Sequence, residues 1–260
     1  MTDINKEIKD LSKISYDINK NGKDHKIDHN AKIVKITELL KSSSIVTPYV
    51  FTKLKLKCNS QNTYLIINPN AKSACTTISL LAAITLLQNI KSNTKIDCNS
   101  INDIILKGVQ FHGNEEHTDY ETAWSKLSSM KSLVNLCGDT QGIITNQNIE
   151  FNNILYTIYS KEINPFSTNF ENIDDNKYTG IIITKQPETI CVILPPLKDK
   201  ESGKENFIYF NSHNRDLDTD YTIESFSSFK NLIDRLKIKY PYMDMGDDYN
   251  SIEANAIQLK

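Results

Sequence analysis

The segment from Cys75 to Leu87 constrains the fold of this chain more than any other. On a helix, its apolar residues lie on nearly every face, and a helix of this kind is stable only when other elements surround it. The preceding Asn68-Pro69-Asn70 favours extended backbone before the proline and a turn after it. We therefore expect a short strand over Thr63–Ile67 and then a buried central helix that begins at Cys75.

The second half of the chain has the residue pattern of an antiparallel sheet. Runs rich in β-branched and aromatic residues, typical of strands, cover Tyr178–Thr184, Thr189–Leu194 and Asn206–Phe210. A short segment with Pro187 joins the first two runs and predicts a hairpin. Apolar residues at helical spacing predict helices over Ile101–Val109, Asp119–Leu136 and Phe226–Lys239. Helices followed by an antiparallel sheet indicate an α+β fold.

Polar segments flank the predicted domain, which covers residues 45–242 and begins with an extended stretch over 45–57. Residues 1–44 carry Ile and Leu at helical spacing among many charges, which fits an amphipathic helix or, equally, a disordered tail. Residues 243–260 are polar and are expected to fray.

Charge and cysteine usage narrow the classes of function. The net charge is only −2, so the chain has no general field for nucleic acid or an anionic membrane. It has no apolar run long enough to span a bilayer, and its N-terminus lacks the apolar core of a secretory signal. Its five cysteines contain no CxxC pair, which argues against a disulfide framework or a zinc cage. We expect a cytoplasmic protein with no cofactor, metal, nucleic acid or membrane partner.

Cys75 is the candidate nucleophile. A thiol attacks as the thiolate, and unpaired N–H groups at a helix start favour that anion and can also hold an oxyanion. Small residues before it, among them Ala71, Ser73 and Ala74, would let a substrate backbone approach. The alternative is that Cys75 is a small buried hydrophobe, the commonest role of a free cysteine. That role is predicted for the remaining four: Cys58, Cys98, Cys137 and Cys191.

His213 is the candidate base, because it follows the predicted strand Asn206–Phe210 and a rigid strand can hold it in place. Asn211 shares its face at period two, so its amide oxygen can accept from the imidazole and fix the tautomer. Asp216 is a spare carboxylate for this role. His25 and His29 lie in the polar N-terminal segment and are set aside.

His112 and His117 are rival bases in the stretch His112-Gly113-Asn114-Glu115-Glu116-His117. The spacing is not HExxH, which argues against a zincin. Either a solvated turn or a loop that binds a metal fits this stretch.

The order of these features resembles a known family. Ser73-Ala74-Cys75-Thr76 opens a buried helix, a hairpin follows, and the run Phe207-Ile208-Tyr209-Phe210-Asn211-Ser212-His213-Asn214-Arg215 precedes a closing helix. This looks like the papain-like deubiquitinases of the herpesvirus large tegument protein group and related "FDSHxR" domains. The resemblance covers about Asn62–Tyr240 and implies a helical subdomain whose nucleophile helix packs on an antiparallel sheet.

The resemblance also implies roles for single residues. The nucleophile falls on Cys75, the base on His213, and the acid two positions before the base, normally Asp, falls on Asn211. The family completes its oxyanion hole with a Gln shortly before the nucleophile. Four residues are candidates here, with Asn70 and Asn62 ranked ahead of the other two: Gln61, Asn62, Asn68 and Asn70.

The implied activity is cleavage after the C-terminal Gly-Gly of ubiquitin or a ubiquitin-like protein, in a host cell or a virion. Because the ubiquitin tail bears arginines, acidic side chains should line its approach. Two sets are candidates: Glu115, Glu116, Asp119 and Glu121, or Asp174 and Asp175.

Two other functions fit the same residues. Asn211 in place of Asp fits a catalytically weak or inactive module that binds ubiquitin. Carboxylates after the histidine, namely Asp216, Asp218 and Asp220, fit an acyl or glutaminyl transferase that uses Cys, His and Asp in this chain order.

Overall fold

An antiparallel sheet of seven strands lies at the centre of the residues that the structure describes. The structure, a computed structural model, describes residues 54–144, 151–161, 167–185, 187–197, 206–213, 221–240 and 251–260. All of them belong to the compact unit Pro48–Lys260. The strands are β1 Lys55–Leu56, β2 Val134–Ile144, β3 Thr179–Lys185, β4 Glu188–Leu194, β5 Phe207–Phe210, β6 Ile223–Phe226 and β7 Ser251–Leu259. Their order across the sheet is β1-β6-β5-β4-β3-β7-β2.

Helices cover the sheet. The α-helices in the described residues are α1 Cys75–Ser92, α2 Cys98–His112, α3 Tyr120–Lys126, α4 Phe151–Ser160 and α5 Phe229–Lys239, and 3-10 helices span Gln61–Tyr64, Pro69–Ser73, Ser128–Leu133 and Ser167–Phe170. In this part of the chain, no helix combines the length and the apolar character that a membrane span requires.

The central strands are buried on both faces, which explains their unbroken apolar sequences. Successive side chains of a strand point to opposite faces. In β4, Cys191 and Ile193 join a core with α1, α2 and α3, whereas Ile190 and Val192 join a second core with α4 and α5. The predicted hairpin is present and pairs Thr179 with Leu194 through Lys185 with Glu188. The α+β prediction is confirmed.

Helix α1 is the buried helix that the sequence predicts, and its start differs from the starts of its neighbours. The Asp97, Asp119 and Ser228 side chains cap α2, α3 and α5. Ala74, which precedes α1, has no side chain that can cap. The first N–H groups of α1 therefore have no side-chain acceptor at the N-cap.

Two sequence predictions near α1 are wrong. Residues Thr63–Ile67 form no strand, because Gln61–Tyr64 is a 3-10 helix and turn hydrogen bonds satisfy the backbone after it. Ile66 is 97% exposed, so this apolar run has no sheet to join. The single helix predicted over Asp119–Leu136 is also wrong in its second half, because β2 begins at Val134 and pairs with β7.

The prediction of a fraying C-terminal tail over 243–260 is wrong for its described part, residues 251–260. Residues Ser251–Leu259 form β7, which lies between β3 and β2. Its polar residues Asn255 and Gln258 are buried and hydrogen-bonded, Gln258 to the Asp174 carbonyl and to Thr179. Hydrogen bonding offsets the cost of burying such amides, so a strand of polar appearance can occupy the sheet interior.

Several predictions lie outside the described residues. They are the helix or tail of residues 1–44, the extended stretch over 45–53, and the carboxylates Asp216, Asp218 and Asp220.

The close approach of α1 and α2 gives a test of the fold. A Cβ added to Gly108 would lie 2.5 Å from Ile78 Cγ1 and 2.8 Å from Ile78 Cα. We expect Gly108→Ala to lower the free energy of unfolding by about 1–3 kcal/mol, because overpacking outweighs the helix propensity gained. Gly180→Ala is the control, since its Cβ would meet side chains at 3.2–3.4 Å. Denaturant unfolding measures both, and an equal effect at the two sites would contradict this helix packing.

Candidate active site

Cys75 is the first residue of α1 and is 7% exposed. The chain reaches it through the 3-10 helix Pro69–Ser73, in which the Asn68 side chain accepts from the Asn70 N–H at 2.8 Å. Because no side chain caps α1, its first N–H groups remain available to a substrate oxygen. The helix start therefore presents a thiol beside hydrogen-bond donors.

Two hydroxyl contacts attach the start of α1 to β4. Thr76 Oγ1 lies 3.0 Å from Thr189 Oγ1, and Ser79 Oγ donates to the Thr189 carbonyl at 2.9 Å. Thr189 Oγ1 is also 3.0 Å from Thr184 Oγ1 on β3. These contacts fix the position of Cys75 relative to the central strands.

Strand β5 positions His213. The Asn211 N–H donates to the Thr222 carbonyl at 2.9 Å, which continues the sheet past the end of β5. Asn211 Oδ1 accepts from the His213 N–H at 2.8 Å and lies 3.2 Å from His213 Nδ1. An amide oxygen only accepts, so this contact favours the tautomer with the proton on Nδ1, in which Nε2 can act as a base.

The fold brings Cys75 and His213 to the same cleft, which has a volume of about 610 Å³. The starts of α1 and α3, the β3–β4 hairpin, the segment after β5, and strand β7 all contribute to this cleft. Its lining residues are Asn62, Lys72, Ser73, Cys75, Thr76, His117, Thr118, Asp119, Tyr120, Thr184, Pro187, Thr189, His213 and Glu253.

Gln61, one of the candidate amides for the oxyanion hole, contacts the histidine. It is fully buried, and its Nε2 donates to the Lys72 carbonyl at 2.5 Å and lies 3.4 Å from His213 Nε2. Its Oε1 accepts from Ser212 Oγ at 2.7 Å. These bonds orient the amide with its nitrogen towards the histidine.

Asn70 and Asn62, the candidates that the sequence ranks first, are placed differently from Gln61. Asn70 does not line the cleft, and its Nδ2 donates to the Asn114 carbonyl at 2.9 Å. Asn62 lines the cleft but is exposed. The sequence signal for Gln61 was its residue type, whereas its orientation depends on a contact with Ser212, which is distant in sequence.

Burial has the dominant effect on the Cys75 thiol and raises its pKa, while hydrogen bonds to Thr189 and Thr76 act in the opposite direction. The sequence predicts a lowered pKa from the helix start. In the structure, desolvation of the thiolate outweighs its hydrogen bonds. The neutral thiol is therefore favoured until a base removes its proton.

The acidic residues at the cleft differ from most of those predicted. Glu115 forms an ion pair with Lys126 at 2.6 Å, and Glu116 does not line the cleft. Asp119 and Glu253 line the cleft and also an adjoining pocket that contains Glu121 and Asp139.

The second predicted acidic pair lies elsewhere. Asp174 accepts from the Asn176 N–H at 2.9 Å, and Asp175 pairs with Lys161 at 2.9 Å. Neither residue lines the cleft. Sequence does not indicate Glu253, because it lies in β7, whose polar residues predict a tail.

The two histidines of the rival stretch differ in burial. His112 is fully buried and lies 2.8 Å from Thr118 Oγ1 through Nδ1, whereas His117 is exposed at the cleft. Within the described residues, no group of three or more His, Cys, Asp or Glu side chains is placed to hold a metal ion.

Comparisons with known proteins give a similarity in structure but none in sequence. A scan against protein-family models finds no match, and a search of the curated proteins also finds none. Among solved structures, the chain is similar to the ubiquitin-specific protease encoded by murine cytomegalovirus tegument protein M48, crystallised in complex with a ubiquitin-based suicide substrate. The identity is 12% and the TM-score 0.47, over 80% of this chain and 85% of that one. The chemistry of the site therefore rests on its own residues.

The raised pKa of Cys75 predicts how the thiol reacts with iodoacetamide. Less thiolate exists at neutral pH when the pKa is raised, so we expect alkylation of Cys75 to accelerate with rising pH through the alkaline range. Peptide mass spectrometry resolves Cys75 from the other four cysteines. His213→Ala should slow the reaction further at neutral pH. Fast alkylation that is constant between pH 5 and pH 8 would instead indicate a standing thiolate and contradict this prediction.

Proposed function

We propose that this chain is a papain-like cysteine isopeptidase that cleaves after the C-terminal Gly-Gly of ubiquitin or a ubiquitin-like protein. The observation that carries the proposal is the shared cleft of Cys75, at an uncapped helix start, and His213, whose tautomer is set by Asn211. A nucleophile, a base and a group that orients the base are the three parts that thiol acyl transfer needs.

In the proposed reaction, His213 Nε2 takes the Cys75 proton and the sulfur attacks the carbonyl carbon of the scissile bond. Burial favours the neutral thiol, so this transfer accompanies attack and does not precede substrate binding. The tetrahedral oxyanion accepts hydrogen bonds from the first N–H groups of α1 and from Gln61 Nε2. His213 returns the proton to the leaving amine, and water then hydrolyses the thioester by the same route.

The substrate class is supported by the order of motifs described above and by the charge at the cleft. Asp119 and Glu253 line the cleft, and Glu121 and Asp139 lie in the adjoining pocket. Carboxylates in this position favour cationic side chains near the scissile bond. A ubiquitin tail, which ends in Gly-Gly and bears arginines, supplies both features.

A ubiquitin probe with a C-terminal electrophile tests the proposed function. We expect it to form a covalent adduct at Cys75, and Cys75→Ala and His213→Ala to abolish the adduct because each removes an essential part of the reaction. Mass spectrometry of the undigested chain measures the adduct. Equal iodoacetamide labelling of the other cysteines in wild type and variants shows that each sample is folded alike.

The outcomes of this experiment separate the alternatives. Binding of ubiquitin by both wild type and Cys75→Ala, with no adduct in wild type, would identify a binding module. Formation of an amide with added amines, in preference to hydrolysis of the thioester, would identify a transferase. A folded wild type that neither binds nor reacts would contradict the proposal.

Neutralisation of the acidic residues tests the predicted contact with the substrate tail. Asp119→Asn removes charge but keeps an N-cap for α3, and Glu253→Gln preserves shape. We expect each to raise KM about two- to fivefold at low salt with little change in kcat, the range for exposed ion pairs. Asp175→Asn is the control, since Asp175 does not line the cleft. Equal KM values for all three variants would remove these carboxylates from the substrate site.

A further inference from the structure

Behind the candidate triad lies a carboxylate that the mechanism above does not use. Glu188 is the first residue of β4 and is 7% exposed. Its Oε2 accepts from Asn211 Nδ2 at 3.2 Å and from the Tyr240 hydroxyl at 3.2 Å. A buried carboxylate is costly unless hydrogen bonds compensate it, so its position calls for an explanation.

The hydrogen bonds around Glu188 impose one orientation on Asn211. A carboxylate accepts and does not donate, so the amide must turn its nitrogen to Glu188 and its oxygen to His213. Asn211 Nδ2 also lies 3.1 Å from the Tyr209 hydroxyl and 3.0 Å from the Tyr240 hydroxyl. Burial raises the pKa of both tyrosines, so they remain neutral phenols.

Orientation matters here because asparagine, unlike aspartate, has one donating and one accepting end. A reversed amide would offer its NH₂ to His213 Nδ1 and favour the other tautomer, with the proton on Nε2. In serine proteases, asparagine in place of the triad aspartate lowers kcat about 10⁴-fold through the wrong tautomer. In an Asn-based site the amide must therefore be held in one orientation, here by the His213 N–H at Oδ1 together with the acceptors around Nδ2.

We propose that Glu188 is a positioning residue that supplies, through Asn211, the negative charge and the orientation that an aspartate would supply to His213 directly. The role rests on the proposed function of the site. The hydrogen-bonded series then runs from His213 through Asn211 to Glu188. The negative charge, on Glu188, lies one residue further from the imidazole than the charge of an aspartate at position 211 would lie.

The titratable groups around Glu188 come from β3, from β5 and from the residue that follows α5. Lys185 is its partner across the β3–β4 hairpin and is buried, which lowers the pKa of the amine. Tyr209 comes from β5, and Tyr240 follows α5. On the neighbouring strand β6, Glu224 is buried to a similar degree but forms its ion pair with Arg235 at 2.7 Å.

Glu188→Gln tests the role with little change in shape. The amide of the glutamine at position 188 presents donors as well as an acceptor. It therefore no longer determines which end of the Asn211 amide faces position 188. We expect kcat in ubiquitin cleavage to fall about 10- to 100-fold with KM almost unchanged, the range known for hydrogen-bond partners behind metal-site histidines. Glu224→Gln is the matched control, since Glu224 is a buried glutamate that pairs with Arg235, and this variant should keep kcat near wild type.

Imidazole ¹⁵N shifts of His213 in the full chain provide a readout that does not depend on ubiquitin. We expect wild type and Glu224→Gln to show the Nδ1–H tautomer, and Glu188→Gln to show a mixture with the Nε2–H form. An unchanged tautomer in a folded Glu188→Gln would overturn the proposal, even if the protein proved to cleave ubiquitin. A mixed tautomer would support it, even if the ubiquitin probe failed to react.

Exchanging the carboxylate of Glu188 with the amide of Asn211 distinguishes a positioning role of Glu188 from a role in folding stability alone. Asn211→Asp alone places two carboxylates in contact, and we expect it to be less active than wild type. The double variant Asn211→Asp with Glu188→Gln places the carboxylate directly on His213 and should recover at least tenfold over Glu188→Gln. Thiol alkylation at neutral pH should follow the same order. A double variant no better than Glu188→Gln would mean that Glu188 serves folding alone.

Discussion

Packing of helix α1 against strands β3 and β4 is the constraint on which the remaining structure depends. The helix is apolar on all sides, so the sheet must cover one side and α2 and α3 the others. Gly108 allows α2 to approach Ile78 closely. Once α1 is enclosed in this way, its first turn lies at the β3–β4 hairpin, and Cys75 is held there by the contacts of Thr76 and Ser79 with Thr189.

A second contact joins the segment before α1 to the end of β5. The Gln61 N–H donates to the Ser212 carbonyl, and the Gln61 side chain accepts from the Ser212 hydroxyl. The same residue therefore bonds the chain next to His213 and places its side-chain amide 3.4 Å from His213 Nε2. Any shift of Ser212 away from Gln61 would break both bonds, so one pair of residues fixes the relative placement of the proposed base and the proposed oxyanion donor.

The sequence alone was sufficient to predict an element where its local residue pattern and its burial agree. The apolar helix and the β3–β4 hairpin are dense in residues that favour their conformations, and His213 follows β5 by simple order. It failed for β7, whose small and amide residues are stabilised by partners on other strands, and for Thr63–Ile67, where β-branched residues have no neighbouring strand. It also ranked Asn70 above Gln61, because spacing along a chain does not show which way an amide points.

Thr189 and Glu188 show why a strand start is an effective place to build such a site. They are consecutive, so their side chains leave β4 on opposite faces. Thr189 lies with α1 and contacts Thr76, whereas Glu188 lies on the side of α5 and contacts Asn211.

The polar groups of the site consequently continue from one core of the protein into the other. Tyr209 packs in the second core and bonds both Asn211 and Tyr240, the residue that ends α5. The orientation of the imidazole in the cleft thus depends on how α5 docks on the far face of the sheet. An unsatisfied member of such a buried network is costly, which ties the chemistry proposed at Cys75 to the integrity of the whole sheet.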